Sequence, residues 1–113
     1  MSWMIEGTAM YKQISCQEAY ELINQGNLLI ADVRDKLSYD AEHINNAVHL
    51  SVSTFNEFCQ GTHRELSILV YCYHGISSQS VAQHLVDHGF SKVYSLIGGF
   101  ETWKSHQPAS DKN

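Results

Sequence analysis

Residues 69–85 read LVYCYHGISSQSVAQHL. An apolar, β-branched run that begins at Ser67 ends at Tyr71 and Cys72. A few small and polar residues follow, and from Ser77 or Ser78 onward Val81, Ala82, Leu85 and Val86 recur at helical spacing up to His88 and Gly89. An uninterrupted apolar run of this length predicts a strand covered on both faces, the pattern of a parallel sheet. Strand, tight loop and helix in that order predict an α/β unit whose loop lies at the carboxyl end of the sheet.

The flanking sequence repeats the rhythm. Residues 28–33 (LLIADV) form a second covered run broken only by Asp32, and residues 11–14, 47–50 and 92–97 predict three shorter strands. Between them, Ser15 followed by Glu18 predicts a capping box. It opens a helix that presents Ala19, Leu22 and Ile23 on one face and stops at Gly26. A short helical turn is expected over residues 38–42, and Ser53 is expected to cap a segment with Phe55, Phe58 and Cys59 on one side. Gly98 and Gly99 turn the chain into a short last helix that buries Phe100 and Trp103 and ends before Pro108. The sum is an α/β fold with five strands, about five helices and right-handed crossovers.

The chain has 113 residues, of which 43% are hydrophobic and 17% charged, which fits one domain with one core. Residues 10–108 are expected to form that domain, with residues 1–9 an N-terminal extension or expression scar and residues 109–113 a tail. A net charge of −5 without a basic run excludes the electrostatic footprint of a nucleic-acid binder. No apolar stretch approaches the roughly 18 residues of a membrane span, and the N-terminus lacks a signal-peptide pattern, so a soluble cytoplasmic protein without membrane contact is expected. Three cysteines, Cys16, Cys59 and Cys72, without framework spacing predict free thiols in a reducing compartment.

Cys72 carries the chemistry. At the end of a strand and before a helix, a thiol meets unpaired backbone N–H groups and the positive end of the helix dipole. The thiolate is stabilised there and becomes a nucleophile. Gly75 allows the positive φ of a tight loop, Ser77 and Ser78 can cap the helix or donate to an anion, and the N–H groups of residues 73–78 can converge on sulfur as a nest. The expected binding loop is therefore Tyr73, His74, Gly75, Ile76, Ser77 and Ser78. His74 can bond a substrate anion, tune Cys72 or sit in water at the rim. Asp32 and Arg34 are expected to brace the rim as an ion pair, with Arg34 a possible anion ligand. Cys16 and Cys59 read as structural thiols. His84 and His88 mimic a zinc-helix spacing, but Leu85 stands where the general-base glutamate belongs, so a solvated face is expected and no metal.

The segment CYHGISS after a hydrophobic strand resembles the active-site loop of the rhodanese family. Two further segments agree in order and spacing: Asp32 to Arg34, Tyr39, His43, Ile44, Ala47 and Leu50 upstream, and VYSLIGGFETW (residues 93–103) downstream. The resemblance covers residues 10–108 and implies a central five-stranded parallel sheet with helices on both faces, no cofactor, and a monomer or homodimer. It also implies a thiosulfate sulfurtransferase that works by ping-pong. Thiosulfate gives its outer sulfur to Cys72, and cyanide, a small thiol or thioredoxin takes it away. The chain departs from the family pattern at Tyr73 and Ser77, where cationic residues are common, and at Glu42 and Asn46, where glycines are common.

Two other functions share the fold. A cysteine phosphatase needs an arginine six residues after the cysteine, where this chain has Ser78, and the next basic residue is Lys92. A non-enzymatic binding module would not need the cysteine and its Gly/Ser cradle.

Overall fold

In the computed structural model residues 10–106 are described; residues 1–9 and 107–113, and with them the expected domain end at Pro108, lie outside the described residues. Strands β1 (Lys12–Ile14), β2 (Leu28–Asp32), β3 (Val48–His49), β4 (Ser67–Tyr71) and β5 (Val93–Leu96) form one sheet in the order β1-β5-β4-β2-β3. Every pairing is parallel. The two covered runs of sequence, β2 and β4, lie side by side at the centre, with Leu28 opposite Ser67 and Asp32 opposite Tyr71.

Alternation along β4 sends its side chains into two cores. Leu69 and Tyr71 pack with Ile14, Ala19, Ile30, Leu96, Phe100 and Trp103 under helices α1 (Cys16–Gln25) and α5 (Gly99–Ser105). Ile68 and Val70 pack with Ala31, Cys59, Ala82, Leu85 and Phe90 under α3 (Phe55–Gly61) and α4 (Ser77–Asp87). Both faces are thus covered, which is why β2 and β4 read as near-continuous apolar runs, interrupted in β2 only by Asp32. Burying a side chain such as Leu85, which is 0% exposed, contributes on the order of 2 kcal/mol.

Helix ends follow local chemistry. Ser15 Oγ accepts the Glu18 N–H at 3.1 Å and Glu18 Oε1 accepts the Ser15 N–H at 2.9 Å, the capping box expected from sequence. Helix α2 (Lys36–Ala41) starts earlier than the expected turn over residues 38–42, because the Asp35 carboxylate accepts the Ser38 N–H at 3.0 Å. Ahead of α3 a 3-10 turn (Val52–Thr54) intervenes, and Ser51, not Ser53, stands at its start, donating its N–H to Thr54 Oγ1 at 3.0 Å. Ser77 and Ser78 do not cap α4. Its N-cap residue is Ile76, whose side chain has no group to cap with, and the Ser78 hydroxyl is directed inward to Cys72.

The two departures from the family's glycines have different explanations. Asn46 has φ +72°, in the left-handed region that glycine prefers and asparagine tolerates. Glu42 is extended, with φ −169°, and needs no glycine. Among the described residues no helix is long and apolar enough to cross a membrane.

Candidate active site

Cys72 follows the last residue of β4 and is 5% exposed. Its loop turns at Gly75, with φ +87°, where a Cβ would lie 2.7 Å from the Gly98 N, so only glycine fits. The turn aims two N–H groups at sulfur: Gly75 and Ser78 each donate to Cys72 Sγ at 3.2 Å. The Ser78 hydroxyl lies 3.4 Å from Sγ. Burial pushes the Cys72 thiol up, yet hydrogen bonds from the Ser78 hydroxyl and the N–H groups of Ser78, Gly75 and His74 outweigh it and hold the thiol below its ordinary value. The nest is therefore narrower than expected, built on positions 74, 75 and 78. Cys16 and Cys59, which lack such donors, are both pushed up by burial.

The loop is fastened from behind by α5. Phe100 N–H donates to the Cys72 carbonyl at 2.8 Å and Glu101 N–H to the Tyr73 carbonyl at 3.1 Å. Gly99 packs against the same two carbonyls; a Cβ there would sit 2.5 Å from Cys72 O and Tyr73 O. On the other flank Gln79 Nε2 donates to Gly75 O at 2.8 Å, and Tyr11 OH donates to Gln79 Oε1 at 2.9 Å.

Above the sulfur opens a cavity of about 350 Å³, between Val33, Arg34 and Asp35 on one side and Tyr73, His74, Ile76 and Ser77 on the other. Tyr73 and Ile76 are 40% and 74% exposed at its rim, and its OH ties Tyr73 to Ser38 Oγ and, at 3.4 Å, to Asp35. His74 is exposed.

Asp32 and Arg34 form the expected brace. Arg34 Nη2 meets Asp32 Oδ2 at 2.7 Å with both side chains buried, and Arg34 N–H donates to Asp32 Oδ1 at 2.8 Å. Tyr71 OH also donates to Asp32 Oδ2, at 2.7 Å, and accepts the Ile44 N–H at 3.1 Å. Arg34 Nη2 further donates to the Glu42 carbonyl at 2.6 Å, and its guanidinium lies 4.3 Å from the Phe100 ring centroid. The guanidinium is thereby held in the wall of the cavity. Tyr71 was not legible as part of this cluster, and its phenol is pushed far above the ordinary value by burial and by donation to Asp32. His84 and His88 are exposed, and among the described residues no group of three or more His, Cys, Asp or Glu could hold a metal ion.

A rhodanese-like domain matches residues 15–106. The chain belongs to the rhodanese family. This rhodanese is 62% identical over 104 residues to "Thiosulfate sulfurtransferase GlpE" of Coxiella burnetii (strain RSA 331 / Henzerling II), covering 92% of this chain and 97% of the relative. A protein of the same name from Tolumonas auensis is 42% identical over 100 residues, 88% of this chain and 94% of the relative. Among solved structures, a rhodanese-related protein from Thermoplasma volcanium aligns with a TM-score of 0.73 at 25% identity, over 87% of this chain and 96% of that one. The Alr3790 protein from Anabaena aligns at 0.75 with 23% identity, over 84% and 79%, and shows the fold alone. The parallel five-stranded sheet with helices on both faces is the rhodanese fold.

The sequence reading placed Cys72, its loop and the Asp32–Arg34 pair together at the strand ends, and the structure brings them together there. The reading missed Gln79 and Tyr71 as supports, and Ser95, whose hydroxyl lies 2.9 Å from Ser78 Oγ. For Ser95 a signal existed: a serine at a buried position of the strand Val93–Leu96. For Tyr71 there was none, since a tyrosine at a buried strand end is ordinary core.

Proposed function

We propose that the protein is a thiosulfate sulfurtransferase that carries sulfur on Cys72. The convergence of two N–H groups and a hydroxyl on one buried sulfur carries the reading. It favours the thiolate, and the same donors face any negative sulfur bonded to it. The thiolate attacks the outer sulfur of thiosulfate. A sulfur–sulfur bond forms at Sγ, the donor's sulfur–sulfur bond breaks, and sulfite leaves with the electron pair. Cyanide, a small thiol or thioredoxin then attacks the outer sulfur, and the pair of the broken bond returns to Cys72 as thiolate.

The loop Tyr73–His74–Gly75–Ile76–Ser77–Ser78 is the binding loop in this reading, with Asp32 and Arg34 as its brace. Arg34 lines the cavity, but its fork is engaged by Asp32 and Glu42. A phosphoryl group would lack the bidentate arginine it requires, whereas a single sulfur atom needs only the nest. The domain of residues 10–108 acts in the cytoplasm, where three free thiols persist.

Mass spectrometry after incubation with thiosulfate will show one added sulfur on Cys72, and thiocyanate will form when cyanide follows. Cys72→Ser will lose both. A wild-type protein that takes up no sulfur, or a Cys72→Ser variant as active as wild type, refutes the reading.

A further inference from the structure

On the side of Cys72 away from the cavity two buried hydroxyls stand in series. Ser78 Oγ, 3.4 Å from Cys72 Sγ, lies 2.9 Å from Ser95 Oγ. Ser78 is 0% and Ser95 1% exposed. Ser78 comes from the first turn of α4, while Ser95 comes from the middle of β5, where it sits opposite Val70 of the neighbouring β4. A buried serine in an otherwise apolar strand is a stability burden unless its hydroxyl is bonded, so its position beside the one hydroxyl that touches sulfur calls for a chemical account.

We propose that Ser95 is a positioning residue for sulfur transfer: its hydroxyl donates to Ser78 Oγ whenever Cys72 is an anion, leaving the Ser78 proton to point at Sγ. The inference rests on the reading of Cys72 as the sulfur carrier. A hydroxyl is both donor and acceptor, so the chain can run in two directions. With Cys72 protonated, S–H donates to Ser78 and Ser78 to Ser95. When the thiol proton leaves to water at the cavity, both hydroxyls rotate and the bonds run from Ser95 through Ser78 to the thiolate. No heavy atom moves. Each transfer cycle takes Sγ from thiolate to a sulfur bonded to its cargo and back, and the pair follows that change in charge. Bonds in a buried chain strengthen one another, so Ser95 acts on sulfur without touching it.

The titratable groups that line the cavity with Cys72 are Arg34, buried in its wall, and Asp35, Tyr73 and His74. Changes at Ser78 and Ser95 leave them in place. The test is the rate of Cys72 alkylation by iodoacetamide across pH, with the site identified by mass spectrometry, in wild type, Ser78→Ala, Ser95→Ala and the double variant. Below the thiol's midpoint, Ser78→Ala will react about tenfold or more slowly and Ser95→Ala roughly two- to fourfold more slowly, the smaller effect being that of a bond one step removed. At high pH, where every variant is thiolate, the rates will converge. Ser95→Ala will add nothing in the Ser78→Ala background. A wild-type rate for Ser95→Ala at low pH, a deficit that persists at high pH, or an additive effect in the double variant overturns the proposal. Alkylation needs no sulfur donor, so this outcome is independent of whether the protein transfers sulfur.

Discussion

Replacing Gly99 with alanine places a methyl group against the back of the active-site loop. The added Cβ would lie 2.5 Å from Cys72 O and equally close to Tyr73 C and O, all of them backbone atoms. Ordinary carbon contacts begin near 3.5 Å, so the loop and α5 must part by roughly 1 Å. That separation strains the bonds from Phe100 N–H to Cys72 O at 2.8 Å and from Glu101 N–H to Tyr73 O at 3.1 Å. Alanine at φ +62° adds a left-handed backbone cost of about 1 kcal/mol. Overpacking of a rigid contact adds about 2 kcal/mol, for a total near 3 kcal/mol. A displacement of that size at Cys72 will lower the rate of the proposed sulfur transfer on the order of a hundredfold. Gly26→Ala is the control, because Gly26 has φ +80° with nothing within 4 Å of its would-be Cβ. With ψ −174° Gly26 lies in a region that glycine all but monopolises, so alanine there carries a backbone cost alone, about 1–3 kcal/mol, and leaves sulfur transfer intact. Urea unfolding and thiocyanate formation measure both quantities. A Gly99→Ala variant as stable as wild type, or one with wild-type turnover, refutes the claim that α5 holds the loop.

Two further outcomes follow from the buried polar groups. Asp32→Ala strips the partner from a buried guanidinium and from Tyr71 OH, and will lower unfolding free energy by about 3–5 kcal/mol; a loss below 1 kcal/mol would show that the brace is dispensable. Because the folded Cys72 thiol titrates below its unfolded value, its ionised form stabilises the fold. That contribution is complete above the unfolded thiol value and is lost as pH falls through the folded one. The stability of wild type relative to Cys72→Ser will therefore rise with pH across that window, as read by unfolding at a series of pH values, and a difference that falls with pH contradicts the sulfur's environment. Cys16 and Cys59 are common to both proteins and cancel.

Much of this molecule is written locally. The covered runs of β2 and β4, the Ser15–Glu18 capping box, the stop at Gly26, and Cys72 between strand and helix all depend on neighbours within a few positions, where periodicity and propensity act directly. The short strands were legible too, though each is trimmed, as β3 is to two residues (Val48–His49). The capping roles of Ser53, Ser77 and Ser78 were misplaced. A serine before a helix has two uses, and whether its hydroxyl turns to its own backbone or to a distant sulfur is set by what packs beside it.

Sequence alone determined the α/β order, the strand-end position of Cys72 and the glycine that its loop requires, because each rests on backbone preferences of adjacent residues. Only tertiary structure decided the rest. Placing β5 beside β4 brings Ser95 to Ser78 across 17 positions, and the register of β2 on β4 brings Tyr71 to Asp32 across 39. Gly99 read as turn geometry until the loop it backs was in place. These contacts join groups far apart in the chain, and their energies exist only once the sheet has closed the distance and excluded water.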